Sequence, residues 1–338
     1  MPAFGVSLSA MQSKVYGIPL VALIGVPVFI VGAALGAAYM AYATSVPPNT
    51  NCVKLYPLTS KTIDCGSYSD SSTHLQNIDS TLTDAAALYI KEGKAQHISV
   101  WVRDLTSLQW ASVNENDRYA PASLLKVPLM IAYYKLAEIE PSLLTTQFTY
   151  QLSPVQDSAT PIYPPQKLLV VGQSYTVEQL IEQMIIYSDN NAADVLAAHI
   201  DPNIFNNILL DLGIKITASN GQDLHDFLTA KTYATIFRTL YNASYLDQDY
   251  SQKALDLLTK TTFSGIDAPL PKGTLVAQKF GERGMNNADG TVVRELHDCG
   301  IVYKDDDPYS ICIMTEGTDE ASLLSIIKDF SQIVYDKI

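Results

Sequence analysis

A serine and a lysine, Ser123 and Lys126, lie three residues apart in the stretch Y-A-P-A-S-L-L-K-V-P-L-M. Side chains at that spacing share one face of a helix, one turn apart. Pro121 and Ala122 put Ser123 at or near the first helical turn, where unpaired backbone N–H groups point outward. The run 127–134 is almost wholly apolar, which predicts a helix buried on most sides. A lysine in such a helix is partly desolvated, so its pKa falls and it can take a proton from the serine.

The S-x-x-K spacing alone is common, and a second copy stands near the C-terminus at Ser325 and Lys328. The first copy is followed by Ser188-Asp189-Asn190 and then by Lys279-Phe280-Gly281. The second copy has nothing downstream that could play those parts. We therefore interpret Ser325 as part of the last helix and Ser123 as the candidate nucleophile.

The surrounding pattern predicts strands at both ends of the chain and helices between them. Such a layout favours one antiparallel sheet built from both ends, flanked by terminal helices, with an all-helical lobe inserted. The Ser123 helix would lie at the junction, where pockets commonly form. Strands are predicted at 97–102, 108–113, 275–280, 292–303 and 309–314, helices at 78–91, 176–187, 191–200, 203–212, 230–241, 252–260 and 320–335, and a surface loop at 151–174.

An uncharged stretch runs from 15 to 53, and its apolar part, 17–43, is long enough to span a bilayer. Lys14 precedes it without any acidic residue, which predicts a cytoplasmic N-terminus. Ala41-Tyr42-Ala43 resembles a signal-peptidase site, so a cleaved signal is the alternative to an uncleaved anchor. The expected protein is a single-pass cell-membrane protein with an extracytoplasmic catalytic domain. Its parts are a tail (1–16), an anchor (17–43), a linker (44–77) and a globular domain (78–338).

Four cysteines fit an exported protein. We expect neighbours to pair, giving Cys52–Cys65 and Cys299–Cys312, with free buried thiols as the alternative for the second pair. No cysteine spacing resembles a zinc site, and no metal or cofactor is expected. The net charge of −13 argues against nucleic acid as a partner.

The order S-x-x-K, S-D-N, K-x-G, together with the sheet–helix–sheet layout, resembles the class A β-lactamase-like family of penicillin-recognising serine hydrolases over about residues 78–338. The resemblance implies an α+β fold of the β-lactamase/transpeptidase type. It implies that Ser123 is the acylated nucleophile and that Lys126 accepts its proton. It further implies that Ser188 passes a proton to the leaving nitrogen.

The resemblance also implies the substrate-binding residues. Asn190 would hold the substrate amide and Lys126, and Lys279 would favour a substrate carboxylate. The oxyanion hole would come from the backbone N–H groups of Ser123 and of a residue just after Gly281, assigned to Arg283.

One departure from the family pattern concerns the third motif. Phe280 stands where the family has Thr or Ser, so a hydroxyl that helps to hold the substrate carboxylate is missing. Arg283 or Arg294 is the expected compensation.

A second departure concerns the loop that carries the deacylating base. The family has an E-x-x-L-N loop whose glutamate activates the deacylating water, but the stretch 214–231 is short and contains no glutamate. Asp223 or Asp226 could substitute, and His225 is interpreted as a surface residue. Three functions therefore remain open. The first is hydrolysis of β-lactams. The second is peptidase or transpeptidase action on the D-Ala-D-Ala stems of peptidoglycan. The third is sensing of β-lactams or cell wall without turnover.

Overall fold

The computed structural model describes residues 56–61, 78–107, 109–151, 162–216, 226–287, 289–305 and 307–338, with short pieces at 32, 34–36 and 75. The chain forms two compact units, 1–52 and 53–338. In the first unit the described residues are helical. None of the helices among the described residues is both long and apolar enough to cross a bilayer. Most of the predicted anchor and linker, the Cys52–Cys65 pair, Asp223 and His225 lie outside the described residues.

The second unit has the strands of its main sheet near its two ends and helices in between, as predicted. In chain order its elements are α1 (Ile78–Lys91), β1 (His97–Asp104), β2 (Trp110–Val113), a 3₁₀ turn (Ala122–Leu125), α2 (Lys126–Ala137), a second 3₁₀ turn (Pro141–Thr145), β3 (Gln147–Thr149), β4 (Ser174–Thr176), α3 (Val177–Ile186), α4 (Asn190–Ala198), α5 (Pro202–Asp211), α6 (Ala230–Tyr241), α7 (Gln248–Leu258), β5 (Leu275–Asn286), β6 (Val292–Tyr303), β7 (Tyr309–Gly317) and α8 (Glu320–Lys337).

Five strands form one antiparallel sheet in the order β2-β1-β7-β6-β5. The N-terminal hairpin thus joins the C-terminal strands through the β1–β7 pair, which confirms a sheet built from both ends of the domain. Strand β5 forms one edge of this sheet. An edge strand has one row of backbone groups without a strand partner, so β5 can face a cleft.

Two hydrophobic cores lie on opposite faces of the sheet. One is formed with α1 and α8 and includes Ile78, Leu82 and Phe330. The other joins the sheet to the helical lobe and includes residues from α2, α3, α6 and α7. The sheet therefore lies between a layer of terminal helices and the inserted lobe.

Helix α2 runs through the centre of that lobe. All nine residues from Lys126 to Tyr134 are buried, as the unbroken apolar sequence predicts. The hydroxyl of Tyr133 donates to the Leu196 carbonyl at 2.7 Å, so the helix is also fastened to α4 by a polar contact. Its first residue, Lys126, is thereby fixed at the boundary between the lobe and the sheet.

The region before α3 differs from the predicted plain loop. Strand β3 pairs with β4 over three residues and closes the base of the loop between them. Strands this short have too few residues to show an alternating pattern. The helix start itself was predicted correctly, because Thr176 and Gln179 form a reciprocal capping box at the N-terminus of α3. Helix α7 begins at Gln248, earlier than predicted, because the capping of Tyr250 N–H by Asp247 was not recognised.

The predicted second disulfide is present in the structure. Cys299 on β6 lies directly opposite Cys312 on β7, and the two are joined. Both cysteines are fully buried on the lobe-facing side of the sheet. The bridge joins β6, the strand paired with β5, to β7, the middle strand of the sheet.

Gly281 marks the place where β5 comes closest to the turn that carries Ser123. A Cβ at this position would lie 3.0 Å from Leu124 Cγ and 3.1 Å from the Pro121 carbonyl oxygen. Such distances are shorter than ordinary packing contacts, so a larger residue here would require Leu124 or the turn to shift.

We expect Gly281→Ala to lower the free energy of unfolding by about 1–3 kcal/mol, because the added methyl overpacks this contact. Thermal unfolding measures the effect. Gly284→Ala on the same strand is the matched control, since its Cβ would have no neighbour closer than 3.8 Å. Equal melting temperatures for the two variants would show that the close approach is not a constraint.

Candidate active site

Ser123 lies in the 3₁₀ turn that leads directly into α2. The residue before it, Ala122, has a φ of +46°, which residues other than glycine rarely adopt. The turn is fastened by a hydrogen bond from Leu124 N–H to the Pro121 carbonyl at 2.8 Å. A second bond runs from the buried Tyr233 hydroxyl to the Leu124 carbonyl at 2.8 Å. The serine is therefore presented by a strained turn that is held from several sides.

Lys126 connects the serine to the S-D-N motif. Its Nζ lies 3.0 Å from Ser123 Oγ, 2.6 Å from Asn190 Oδ1, 2.6 Å from the Ser188 carbonyl oxygen and 3.2 Å from Ser188 Oγ. Burial lowers the pKa of Lys126 to about 7, against the opposing charges of Asp189 and Asp194. A substantial fraction of the amine is thus uncharged at neutral pH and can accept the Ser123 proton.

Ser188 lies between two amines. Its Oγ accepts a hydrogen bond from Lys279 Nζ at 2.9 Å on one side and from Lys126 Nζ on the other. Lys279 is fully buried, and its Nζ also donates to the Phe280 carbonyl at 2.9 Å. Burial, followed by repulsion from Lys126, lowers the pKa of Lys279 well below its ordinary value. The chain of polar atoms Ser123–Lys126–Ser188–Lys279 can carry a proton away from the serine hydroxyl.

The middle residue of S-D-N has a structural part. Asp189 is fully buried and caps α4 by accepting from Asn191 N–H at 2.9 Å. Its second oxygen accepts from Leu169 N–H at 3.2 Å. These bonds fix the loop between α3 and α4, in which Ser188 has a φ of +57°. The loop therefore presents Ser188 and Asn190 in one defined orientation.

A cavity of about 700 Å³ opens in front of Ser123. The Ser123 turn, the S-D-N loop and strand β5 form its walls, and residues 162–165 lie across from them. Of the residues predicted from the sequence, Ser123, Ser188, Asn190 and Arg283 line it, whereas Lys126, Lys279 and Gly281 are not among its lining residues.

The two arginines expected to compensate for Phe280 already have acidic partners. Arg283 Nη1 lies 3.1 Å from Asp226 Oδ1, and Arg294 Nη1 lies 3.8 Å from Glu320 Oε2. Phe280 stacks on Phe263, with ring centroids 4.2 Å apart. It belongs to an aromatic cluster at the cavity wall. The assignment of the Arg283 backbone N–H to the oxyanion hole stays a prediction.

The carboxylates differ most from expectation. Asp226 is bound to Arg283 and does not line the cavity. Glu282 does line it, and its carboxylate accepts from the N–H groups of Ile162 and Tyr163, both at 3.1 Å. Glu282 follows Gly281 directly in sequence, so the K-F-G-E run was the signal that could have indicated it.

Two more buried groups near the turn were missed. Glu295 accepts a hydrogen bond from Ala120 N–H, and His297 Nε2 lies 3.1 Å from the Ala120 carbonyl oxygen. Their signal in the sequence is polar residues at alternate positions of a strand that is otherwise buried. The second S-x-x-K copy lies elsewhere, because Ser325 is exposed on α8.

Comparison with known proteins agrees with this architecture. A family model described as the Beta-lactamase enzyme family matches residues 80–338. The β-lactamase VEB-1 of Pseudomonas aeruginosa is 24% identical over 242 residues, which cover 65% of this chain and 78% of that protein.

Solved structures show the same fold. The TLA-3 extended-spectrum β-lactamase superposes with a TM-score of 0.65 at 21% identity, covering 76% of this chain and 98% of that one. A mutant of PBP-A, solved as an acyl-enzyme complex with penicillin G, superposes with a TM-score of 0.62 at 19% identity, covering 78% and 96%. Because the family match spans the whole described sheet and lobe and all three motifs, this chain belongs to the beta-lactamase enzyme family and is a serine hydrolase.

Proposed function

We propose that the domain forms an acyl-enzyme at Ser123 with β-lactams or related acyl-D-Ala-D-Ala compounds. The observation that carries this proposal is the position of Lys126 Nζ, which contacts Ser123 Oγ and the side chains of Ser188 and Asn190 from a buried site. The family membership supports the reaction class. The match of PBP-A as a penicillin acyl-enzyme supports the substrate class.

Acylation follows from the polar chain at the cavity. Uncharged Lys126 takes the proton from Ser123 Oγ as that oxygen attacks the substrate carbonyl. The proton then passes through Ser188 Oγ to the leaving nitrogen, while the oxygen of Ser188 recovers a proton from Lys126. The backbone N–H groups of Ser123 and Arg283 stabilise the oxyanion in this scheme.

Deacylation is the slow step in this proposal. Hydrolysis of the ester needs a water on the ester carbon and a base to activate it. Asp226 is engaged with Arg283, and the carboxylate of Glu282 is engaged by two backbone N–H groups. Of the carboxylates that the structure describes here, neither is an unengaged base, and the proposal is therefore that β-lactam hydrolysis is slow and that the domain behaves as a penicillin-binding protein.

A second candidate is a D-Ala-D-Ala carboxypeptidase or transpeptidase acting on peptidoglycan. The absence of glutamate from 214–231 favours it over a fast β-lactamase. Release of D-alanine from an acyl-D-Ala-D-Ala peptide, compared with nitrocefin turnover, separates the two activities. Acylation by penicillin with neither turnover would favour the sensor function.

The proposed location is the outer face of a cell membrane, with 17–43 as the anchor and 78–338 outside. The apolar sequence of 17–43 and the buried Cys299–Cys312 disulfide support it, since disulfides persist in oxidising compartments. Protease added to intact spheroplasts should digest the domain while a cytoplasmic marker protein survives. Retention of the full chain in the soluble cytoplasmic fraction would overturn this location.

Ser123 is expected to be the residue that a β-lactam acylates. Intact mass spectrometry after penicillin treatment should show one adduct on the wild type and on Ser325→Ala, and none on Ser123→Ala. Ser325→Ala is the matched control, because it removes the serine of the second S-x-x-K copy. An adduct that is still formed on Ser123→Ala would contradict the assignment of Ser123 as the acylated residue.

Lys126→Arg is expected to slow acylation by about two to four orders of magnitude, because an arginine stays protonated and cannot act as the base. Lys328→Arg makes the same change in the second copy and should leave the rate unchanged. In the wild type the rate should rise with pH through about 7, since burial lowers the pKa of Lys126 to about 7 and the uncharged amine is the active form. A Lys126→Arg rate within a few-fold of wild type would mean that another base operates.

The acyl-enzyme is expected to persist, because loss of general-base catalysis costs about two to four orders of magnitude in rate. Stopped-flow measurement with nitrocefin should give a burst of near-unit stoichiometry followed by a slow steady state. If steady turnover is instead fast, the variants Asp223→Asn, Asp226→Asn and Glu282→Gln identify the base, which is the residue whose variant loses the steady state but keeps the burst.

A further inference from the structure

Ala120, two residues before the turn that carries Ser123, makes hydrogen bonds with both its backbone N–H and its backbone carbonyl. Ala120 N–H donates to Glu295 Oε1 at 3.3 Å, and the Ala120 carbonyl accepts from His297 Nε2 at 3.1 Å. Glu295 and His297 are two residues apart on β6, so their side chains share one face of the sheet. Glu295 is 2% exposed and His297 is fully buried. We call these two side chains the Ala120 clamp.

The histidine of the clamp has a defined proton. A carbonyl oxygen only accepts hydrogen bonds, so Nε2 of His297 must carry hydrogen. Its Nδ1 has no hydrogen-bond partner among the described residues, and burial lowers the pKa of His297 to about 4. The ring is therefore neutral at working pH and donates through Nε2 throughout the range in which the enzyme would act.

The glutamate of the clamp is titratable in that range. Burial, together with the charges of Asp226 and Glu316, raises the pKa of Glu295 to about 7, against the opposing effects of Ala120 N–H and Arg283. Arg283 Nη1 lies 4.0 Å from Glu295 Oε2 and 3.1 Å from Asp226. The groups facing Glu295 thus come from β5 (Arg283), β7 (Glu316) and the segment before α6 (Asp226), besides His297 on its own strand.

The turn between the clamp and the serine needs such support. Ala122 adopts a φ of +46°, which costs an alanine about 1 kcal/mol or more. Downstream, the turn is held by Tyr233 at the Leu124 carbonyl. Upstream, the clamp holds Ala120. If the upstream hold weakens, Ala122 can relax towards an ordinary φ, and Ser123 Oγ then moves away from Lys126.

We infer that Glu295 and His297 are positioning residues, which keep Ser123 in reach of Lys126 as long as Glu295 is ionised. The inference rests on the proposed acylation of Ser123. An ionised carboxylate makes a charge-assisted bond to Ala120 N–H and attracts Arg283. Protonation removes the charge, weakens both contacts and lets the turn relax. Acid therefore slows acylation through the clamp as well as through Lys126.

The test is the rate of acylation of the full chain by a fluorescent penicillin, measured between about pH 5 and pH 9 so that both groups titrate. In the wild type, loss of a proton from each of two groups raises the rate, so the logarithm of the rate should rise with pH at a slope exceeding one on the acid limb. Glu295→Gln keeps an acceptor for Ala120 N–H but cannot ionise. Its slope should fall to one, the contribution of Lys126 alone, with a rate about tenfold lower at high pH.

Two further variants separate positioning from mere packing. Glu316→Gln removes a neighbouring carboxylate that makes no bond to Ala120, so it should keep the steep slope and shift the acid limb to lower pH. His297→Gln retains an N–H donor and should keep most of the rate, whereas His297→Leu should lose about tenfold. Melting temperatures identify any variant that fails to fold.

The outcomes are distinct. A slope of one in the wild type, or an unchanged steep slope in Glu295→Gln, overturns the role of Glu295 but leaves the proposed function intact. Absence of any label on wild-type Ser123 overturns the proposed function itself. Should Glu295→Gln not fold, the wild-type slope together with the Glu316→Gln shift still decides the inference.

Discussion

The rest of the site depends on one buried amine. Lys126 begins a helix whose first nine residues are buried, so its Nζ is largely shielded from bulk water. Burial disfavours the charged amine and lowers the pKa of Lys126. Four oxygen atoms contact the nitrogen and provide hydrogen-bond partners in place of water. Those oxygens come from the turn before α2, from the loop between α3 and α4 and from Asn190, the first residue of α4. Placing them requires both the capping of α4 by Asp189 and the close approach of β5 at Gly281.

The charges around the cavity limit what it can attract. Lys279 was predicted to favour a substrate carboxylate, but its Nζ is buried and bonded to Ser188 and to the backbone. Arg283 has Asp226 beside it, and Arg294 has an acidic partner on α8. The charges of Arg283 and Arg294 are therefore partly neutralised by their acidic partners, and burial disfavours the charged form of Lys279. A substrate carboxylate would meet a weaker attraction than the motif order alone suggests.

Much of the fold was predictable from local patterns, whereas the site was predictable only where its chemistry follows sequence order. The bounds of α6 and β6 match the predicted ones, but β3 and β4 have too few residues to show a pattern. Ser123 and Lys126 were found from their motif, and the structure brings them to S-D-N. The contact of Glu295 with Ala120 joins residues 175 positions apart, so no local pattern contains it. Tertiary contacts of this kind decide which carboxylate can act and which is already engaged.

The central claim is that Lys126 is uncharged in a large fraction of molecules at neutral pH. Isotope-edited NMR of the lysine side chains measures it directly, with Lys126→Arg used to assign the resonance. The account predicts a titration midpoint near 7, since burial lowers the pKa of Lys126 to about that value. A titration midpoint of about 10.4, which is the ordinary pKa of a lysine, would contradict it.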